Sequence, residues 1–159
     1  MGVGPTLDGF TDFINNIVQI PTDQIDPGSY VLDFSFNYAM DICLIYLDQV
    51  PSLGPSALAP TVYAIAVYNL GADTLINYAP DIPGASDPTY WSDLRASFGI
   101  NEFTGGVINF SSDQSTSTGV AVADAIKQLT IMDLGTLNTP WGRNYMAIAQ
   151  NYGTLWGMS

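Results

Sequence analysis

The chain has no histidine, a single cysteine, and three basic residues against fifteen acids among its 159 residues. The missing histidine removes the commonest general base and metal-ligating side chain. Without it the serines have no evident activating partner, and Lys127, next to Asp124 on an amphipathic segment, reads as half of a surface pair. The lone Cys43 excludes an intrachain disulfide framework and a thiolate metal cluster. Among its apolar neighbours it reads as a small buried hydrophobe.

The scarcity of bases leaves a net charge of −12. Nucleic-acid binding needs cations that displace counterions from phosphates, so this charge opposes it, as it opposes binding to anionic membranes. It permits a different role near DNA, that of a wall that does not stick. Charged residues of both signs make up 11% of the chain and hydrophobic residues 47%. Soluble domains carry about 25% charged residues. The hydrophobic content argues against disorder, and the shortage of charge predicts that part of the surface is buried against other subunits.

Other signals are also missing. Met1–Pro5 has neither a basic stretch nor an apolar run, so no signal peptide is expected. Tyr30–Leu47 is nearly long enough to cross a membrane, but Asp33 and Asp41 interrupt it. Gly2, Gly4, Gly105 and Gly106 lack the lysine and the strand-to-helix setting of a phosphate loop. The acids between Asp81 and Asp87 lack the closing glutamate of a calcium loop. No cofactor, no metal and no catalytic residue are therefore expected. Glu102 and Asp113 form the one carboxylate pair in a loop-rich zone, which leaves a carboxylate-dependent glycoside hydrolase as an alternative.

What is present is helical periodicity broken by Pro/Gly turns. Thr6–Val18 carries Leu7, Phe10, Ile14 and Val18 on one face, with Phe13 and Ile17 beside them, and Pro21 closes it. Tyr30–Asp48 is largely apolar apart from a stripe of Asp33, Asn37 and Asp41, although its first residues also alternate as a strand would. Thr61–Ala79 repeats that design with Asn69, Asp73 and Asn77. Two such helices joined by the loop Pro51–Pro60 predict an apolar helix hairpin at the centre of the core. Gly71, unfavourable inside a helix, predicts a close approach by another element. Asp87 and Pro88 predict the start of a helix running to about Phe98 and ended by Gly99. Residues 103–118 read as a long loop or short strand pair, with Gly106–Phe110 the candidate strand, and 119–134 as a further helix. The expected fold is mainly α: a bundle of five or six helices with an extended C-terminal segment.

Thr139 and Pro140 predict the start of a terminal helix in which Trp141, Tyr145, Ile148 and Tyr152 share a stripe. The segment either covers its own domain or docks on a partner subunit; the other helices already offer a core, and the second reading is favoured mostly by the resemblance described below. The division is then residues 1–137 as a helical domain and 138–159 as a docking segment. Its proposed contacts are Trp141, Arg143, Tyr145, Tyr152 and Trp156. Removal of Pro140–Ser159 is expected to spare the fold and abolish attachment.

Several strings bear on identity: Phe13-Ile-Asn-Asn-Ile-Val-Gln-Ile-Pro21, Tyr68-Asn-Leu-Gly-Ala-Asp-Thr-Leu-Ile-Asn-Tyr78, Ser111-Ser-Asp113, Thr139-Pro-Trp-Gly-Arg-Asn-Tyr145 and Ala149-Gln-Asn-Tyr-Gly153. With the order of elements, they resemble the head-to-tail adaptor, or head-completion, proteins of tailed bacteriophages. The resemblance implies a virion structural protein and no enzyme. It implies a homo-oligomeric ring, often of twelve copies, that connects the portal protein to the tail or nozzle protein. DNA would pass through the ring unbound, and no membrane would be involved. The location implied is the neck of the virion, after synthesis in the host cytoplasm. Another phage part, such as a tail terminator or minor capsid protein, is the alternative in the same class.

Overall fold

The computed structural model describes residues 4–25, 30–48, 60–100, 111–113, 116–118, 136 and 138–152. Within them the protein is mainly helical: α1 (Leu7–Phe13), α2 (Tyr30–Asp48), α3 (Pro60–Tyr78), α4 (Tyr90–Ser97) and α5 (Pro140–Tyr152). A short antiparallel hairpin pairs β1 (Ser111–Asp113) with β2 (Thr116–Thr118), with Ser112 opposite Ser117. The strand pair thus falls on the Ser/Thr run. The expected strand 106–110 and the expected helix 119–134 lie outside the described residues.

The central element is α3, which packs against α2 on one side and α5 on the other. From Ala66 to Ile76 every side chain but that of Tyr68 is buried. A helix apolar nearly all round has this fate, because it can hide that surface only when covered from several sides. Its companion α2 is one-sided. Ser35, Phe36, Ala39 and Cys43 turn inward, while Asp33, Asn37 and Asp41 face solvent. The alternation at Leu32–Tyr38 therefore does not give a strand, and the helix begins at Tyr30.

The chain enters through α1. Thr6 caps it, its hydroxyl accepting from Gly9 N at 3.1 Å. The helix then widens into a π turn over Ile14–Val18 and ends at Gln19, which is left-handed at φ 64°. Phe10 and Ile14 are buried, but Ile17 is 63% exposed. The extra residue per turn rotates Ile17 off the face that ideal helical spacing assigns it. Tyr68 of α3 pins this entry: its hydroxyl accepts from Thr6 N at 3.1 Å and donates to Thr6 O at 3.3 Å. Phe10 stacks between Phe36 and Tyr68 with centroids 5.7 and 5.9 Å away. Its ring also fills the notch left by Gly71, where a β-carbon would lie 2.9 Å from Cε2, so the close approach expected there comes from α1.

After α3 the chain turns back, and α4 lies across the end of α3. Arg95 of α4 donates to the carbonyls of Ile76 and Ala79, at 3.2 and 2.6 Å. These are carbonyls that the end of α3 leaves without helical partners. Asp81 accepts from Ser92 N at 3.0 Å and from the Ser92 hydroxyl. The α-helix begins at Tyr90, two residues later than Asp87–Pro88 suggest, yet Asp87 still caps the approach: its carboxylate accepts from Thr89 N at 3.2 Å and its carbonyl from Tyr90 N at 3.4 Å. It ends at Gly99, φ 67°, with Gly99 N bonded to Ala96 O and Ile100 N to Arg95 O, a Schellman ending.

Candidate functional site

Where α5 meets α3, the cap of one helix engages an acid of the other. Thr139 Oγ1 accepts from Gly142 N at 2.9 Å, as an N-cap does, and donates to Asp73 Oδ1 at 2.5 Å. Both residues are buried. Gly142 makes the approach possible: a β-carbon there would stand 1.8 Å from Thr136 O and 2.8 Å from Asp73 Oδ1. Burial raises the Asp73 pKa to about 6, against the opposing effect of the Thr139 hydrogen bond. The carboxylate is therefore the main form at neutral pH, and the neutral acid predominates only below about pH 6.

Asp73 also lines a groove of about 290 Å³ flanked by Tyr38, Asn77, Tyr78 and Thr136. The groove brings together one carboxyl and two phenols. It has no second carboxylate among the described residues, so the arrangement suits binding or a titratable contact more than acid–base turnover. Of the carboxylate pair considered for hydrolysis, Glu102 lies outside the described residues and Asp113 sits in β1.

The five tail residues do not form one docking face. Tyr145 is 7% exposed and belongs to the core, with Met146 and Ala149. Trp141 is half-buried, edge-to-face with Phe98 at 5.9 Å. Arg143 is exposed, and its guanidinium donates to Asn138 O at 3.2 Å. The Tyr152 side chain and Trp156 lie outside the described residues. The reading of 138–159 as a segment separate from its domain therefore needs correction up to residue 149, because α5 completes the wall around α3. The buried face is Gly142, Tyr145, Met146 and Ala149 rather than the aromatic stripe. Glycine and alanine carry little hydrophobic signal, yet they let two helices approach closely. Among the described residues, Tyr145 is unavailable to a partner and Arg143 and Trp141 remain reachable.

The surface features that sequence reasoning missed lie on α1 and α2. Tyr30, Phe34 and Tyr38 form a ladder along α2, with successive centroids 6.1 and 5.8 Å apart, and Tyr78 of α3 meets Phe34 edge-on at 6.0 Å. Tyr30 and Tyr78 are 77% and 66% exposed. The i, i+4, i+8 spacing was legible, but it was masked by the strand-like alternation of the same residues. Beside the ladder, Asp8 and Asp33 line one groove, while Asp12 and Asp41 continue the same helix faces. No lysine or arginine occurs before Arg95.

Among the described residues no helix is long and apolar enough to cross a membrane, and no group of three or more metal-ligating side chains occurs. Comparison with family models, characterised proteins and solved structures gives no match.

Proposed function

We propose that this protein is a virion structural component of a tailed bacteriophage, a ring-forming adaptor between portal and tail whose channel passes DNA without holding it. The observation that carries the proposal is the pairing of two exposed surfaces on α1 and α2: a one-signed acidic face and, next to it, an aromatic ladder. A carboxylate face without cations repels a phosphate backbone, as a conduit wall must. Exposed aromatic side chains are enriched where protein surfaces meet, since they bury large areas at low conformational cost. The helical fold and the resemblance of the sequence strings to head-completion proteins support the same reading. In it, twelve copies close the ring, and the chain beyond α5, including Trp156, reaches the portal or tail.

Mass spectrometry and reconstruction of purified virions test the proposal. The chain is expected in the neck, and its absence from intact particles overturns it. At residue level, Phe34→Glu is expected to prevent ring closure, read by sedimentation, while leaving the far-ultraviolet circular dichroism unchanged.

A further inference from the structure

Asp73 is 4% exposed, and the one hydrogen-bond partner of its carboxyl among the described residues is Thr139, on Oδ1. Oδ2 has no partner there, yet it is not among the unpaired side-chain oxygens sealed from solvent. It therefore opens on the groove of about 290 Å³ that Asp73 lines, beside Tyr38, Leu70, Thr74, Asn77 and Tyr78. No lysine or arginine among the described residues lines the groove or stands beside the carboxyl. A carboxylate buried this deeply is costly unless it is paired as well as hydrogen-bonded. Here, among the described residues, the hydrogen bond is present and the counter-charge is not.

We infer that this groove is a binding site for a primary alkylammonium cation. The uncompensated carboxylate selects a cation, and the free oxygens and the walls narrow which one. A metal ion is disfavoured, because hard divalent cations take about six to eight oxygens and no group of three or more metal-ligating side chains occurs among the described residues. A guanidinium is disfavoured as well: its planar fork matches both oxygens of a carboxylate, and Thr139 already holds Oδ1. An ammonium is a compact charge with three donors, which a single oxygen can anchor. Further acceptors lie along α3. Asn77, one turn on, sends its Nδ2 back to Asp73 O at 2.8 Å, which leaves its Oδ1 to accept. The Thr74 hydroxyl donates to Leu70 O at 2.9 Å and keeps its lone pairs. The rings of Tyr38 and Tyr78 attract a cation, and Leu70 offers apolar surface to a hydrocarbon stem. Such a group occurs both as a free small amine and as the side chain of a lysine on another polypeptide. The groove exists on the single subunit, so binding there does not depend on ring assembly.

The test titrates the full chain with n-butylammonium above neutral pH, where Asp73 is ionised, at constant ionic strength set with sodium chloride. Binding is followed through the backbone amide resonances of Asp73, Thr74 and Asn77. The expected result is a saturable shift with a midpoint on the order of 1 mM, and binding weaker by about tenfold or more for 1-butanol and for n-propylguanidinium. Asp73→Asn keeps the shape and an acceptor for Thr139 and is expected to lose the response. Tyr78→Leu should weaken it about two- to fivefold, as the loss of one cation–π contact does. Titration with N-acetyl-lysine N-methylamide separates the sources: a response to both amines points to a polypeptide lysine, and a response to n-butylammonium alone points to a free amine. The absence of a saturable shift overturns the inference, as does equal binding of either comparison compound or a response that survives Asp73→Asn. The comparison compounds are titrated into the unmodified chain, so they decide even if Asp73→Asn fails to fold.

Discussion

Phe10 and Gly71 touch so closely that a β-carbon on the glycine would stand 2.9 Å from Cε2 and 3.0 Å from Cζ of the ring. The contact joins α1 to the centre of α3 and holds the ring between Phe36 and Tyr68. Gly71→Ala should improve helix propensity by about 1 kcal/mol and lose about 1–3 kcal/mol to overpacking. Phe10 is fully enclosed and has nowhere to move, so a net loss is expected. A lowered denaturant midpoint with an unchanged slope is the outcome to look for.

Asp73 makes stability fall as pH rises. Between its ordinary value of 3.8 and its native value of about 6, the folded chain holds a proton that the unfolded chain has released. Stability therefore declines across that interval and levels off above it. The full difference corresponds to about 3 kcal/mol. Asp23 and Asp81 act in the opposite sense. Hydrogen bonds from Ser86 and from Ser92 lower their pKa values, so their contribution is lost as pH falls through the native values below 3.8. The two trends meet at about pH 4, where maximum stability is expected. Asp73→Asn should flatten the decline between pH 4 and 6 in chemical denaturation, and a decline that persists in the variant would show another group to be responsible.

Arg95 closes the C-terminal end of α3. Arg95→Met keeps the aliphatic stem and leaves the Ile76 and Ala79 carbonyls without their charged donor. A loss of about 1.5–3 kcal/mol follows from charge-assisted hydrogen bonds of this kind. Hydrogen exchange should localise the effect to the last turn of α3.

Tyr145 and Arg143 should part company. Tyr145→Ala removes a core ring and is expected to cost roughly 2–4 kcal/mol. Arg143→Ala alters an exposed side chain and should shift stability by less than about 0.5 kcal/mol. For the same reason, removing Pro140–Ser159 should unfold the protein by uncovering α3, and removal of residues 153–159 alone is the cleaner test of tail attachment.

Composition and periodicity made the helical class, the packing of α2 on α3 and the burial of Cys43 legible in the sequence. They misplaced α5 because burial there is carried by small residues. The stripe Asn69, Asp73, Asn77 has the same spacing as Asp33, Asn37, Asp41, yet Asn69 and Asp73 are buried and Asn77 is half-buried. Their side chains turn back on the helix or meet a neighbour: Asn69 and Asn77 donate to Ile65 O and Asp73 O, both at 2.8 Å, and Asp73 meets Thr139. Spacing alone cannot distinguish an outward stripe from an inward one, because the difference lies in whether another helix arrives to cover it.

The bond between Asp73 and Thr139 joins residues 66 positions apart. During synthesis α2 and α3 leave the ribosome well before α5 exists, and until then one flank of α3, with a buried-type acid at its middle, has no cover. The core becomes whole only when residues 139–149 arrive. A nascent or nicked chain that stops short of them would present an unshielded apolar helix to chaperones and proteases, so the last helix decides whether a translated copy survives as a finished subunit.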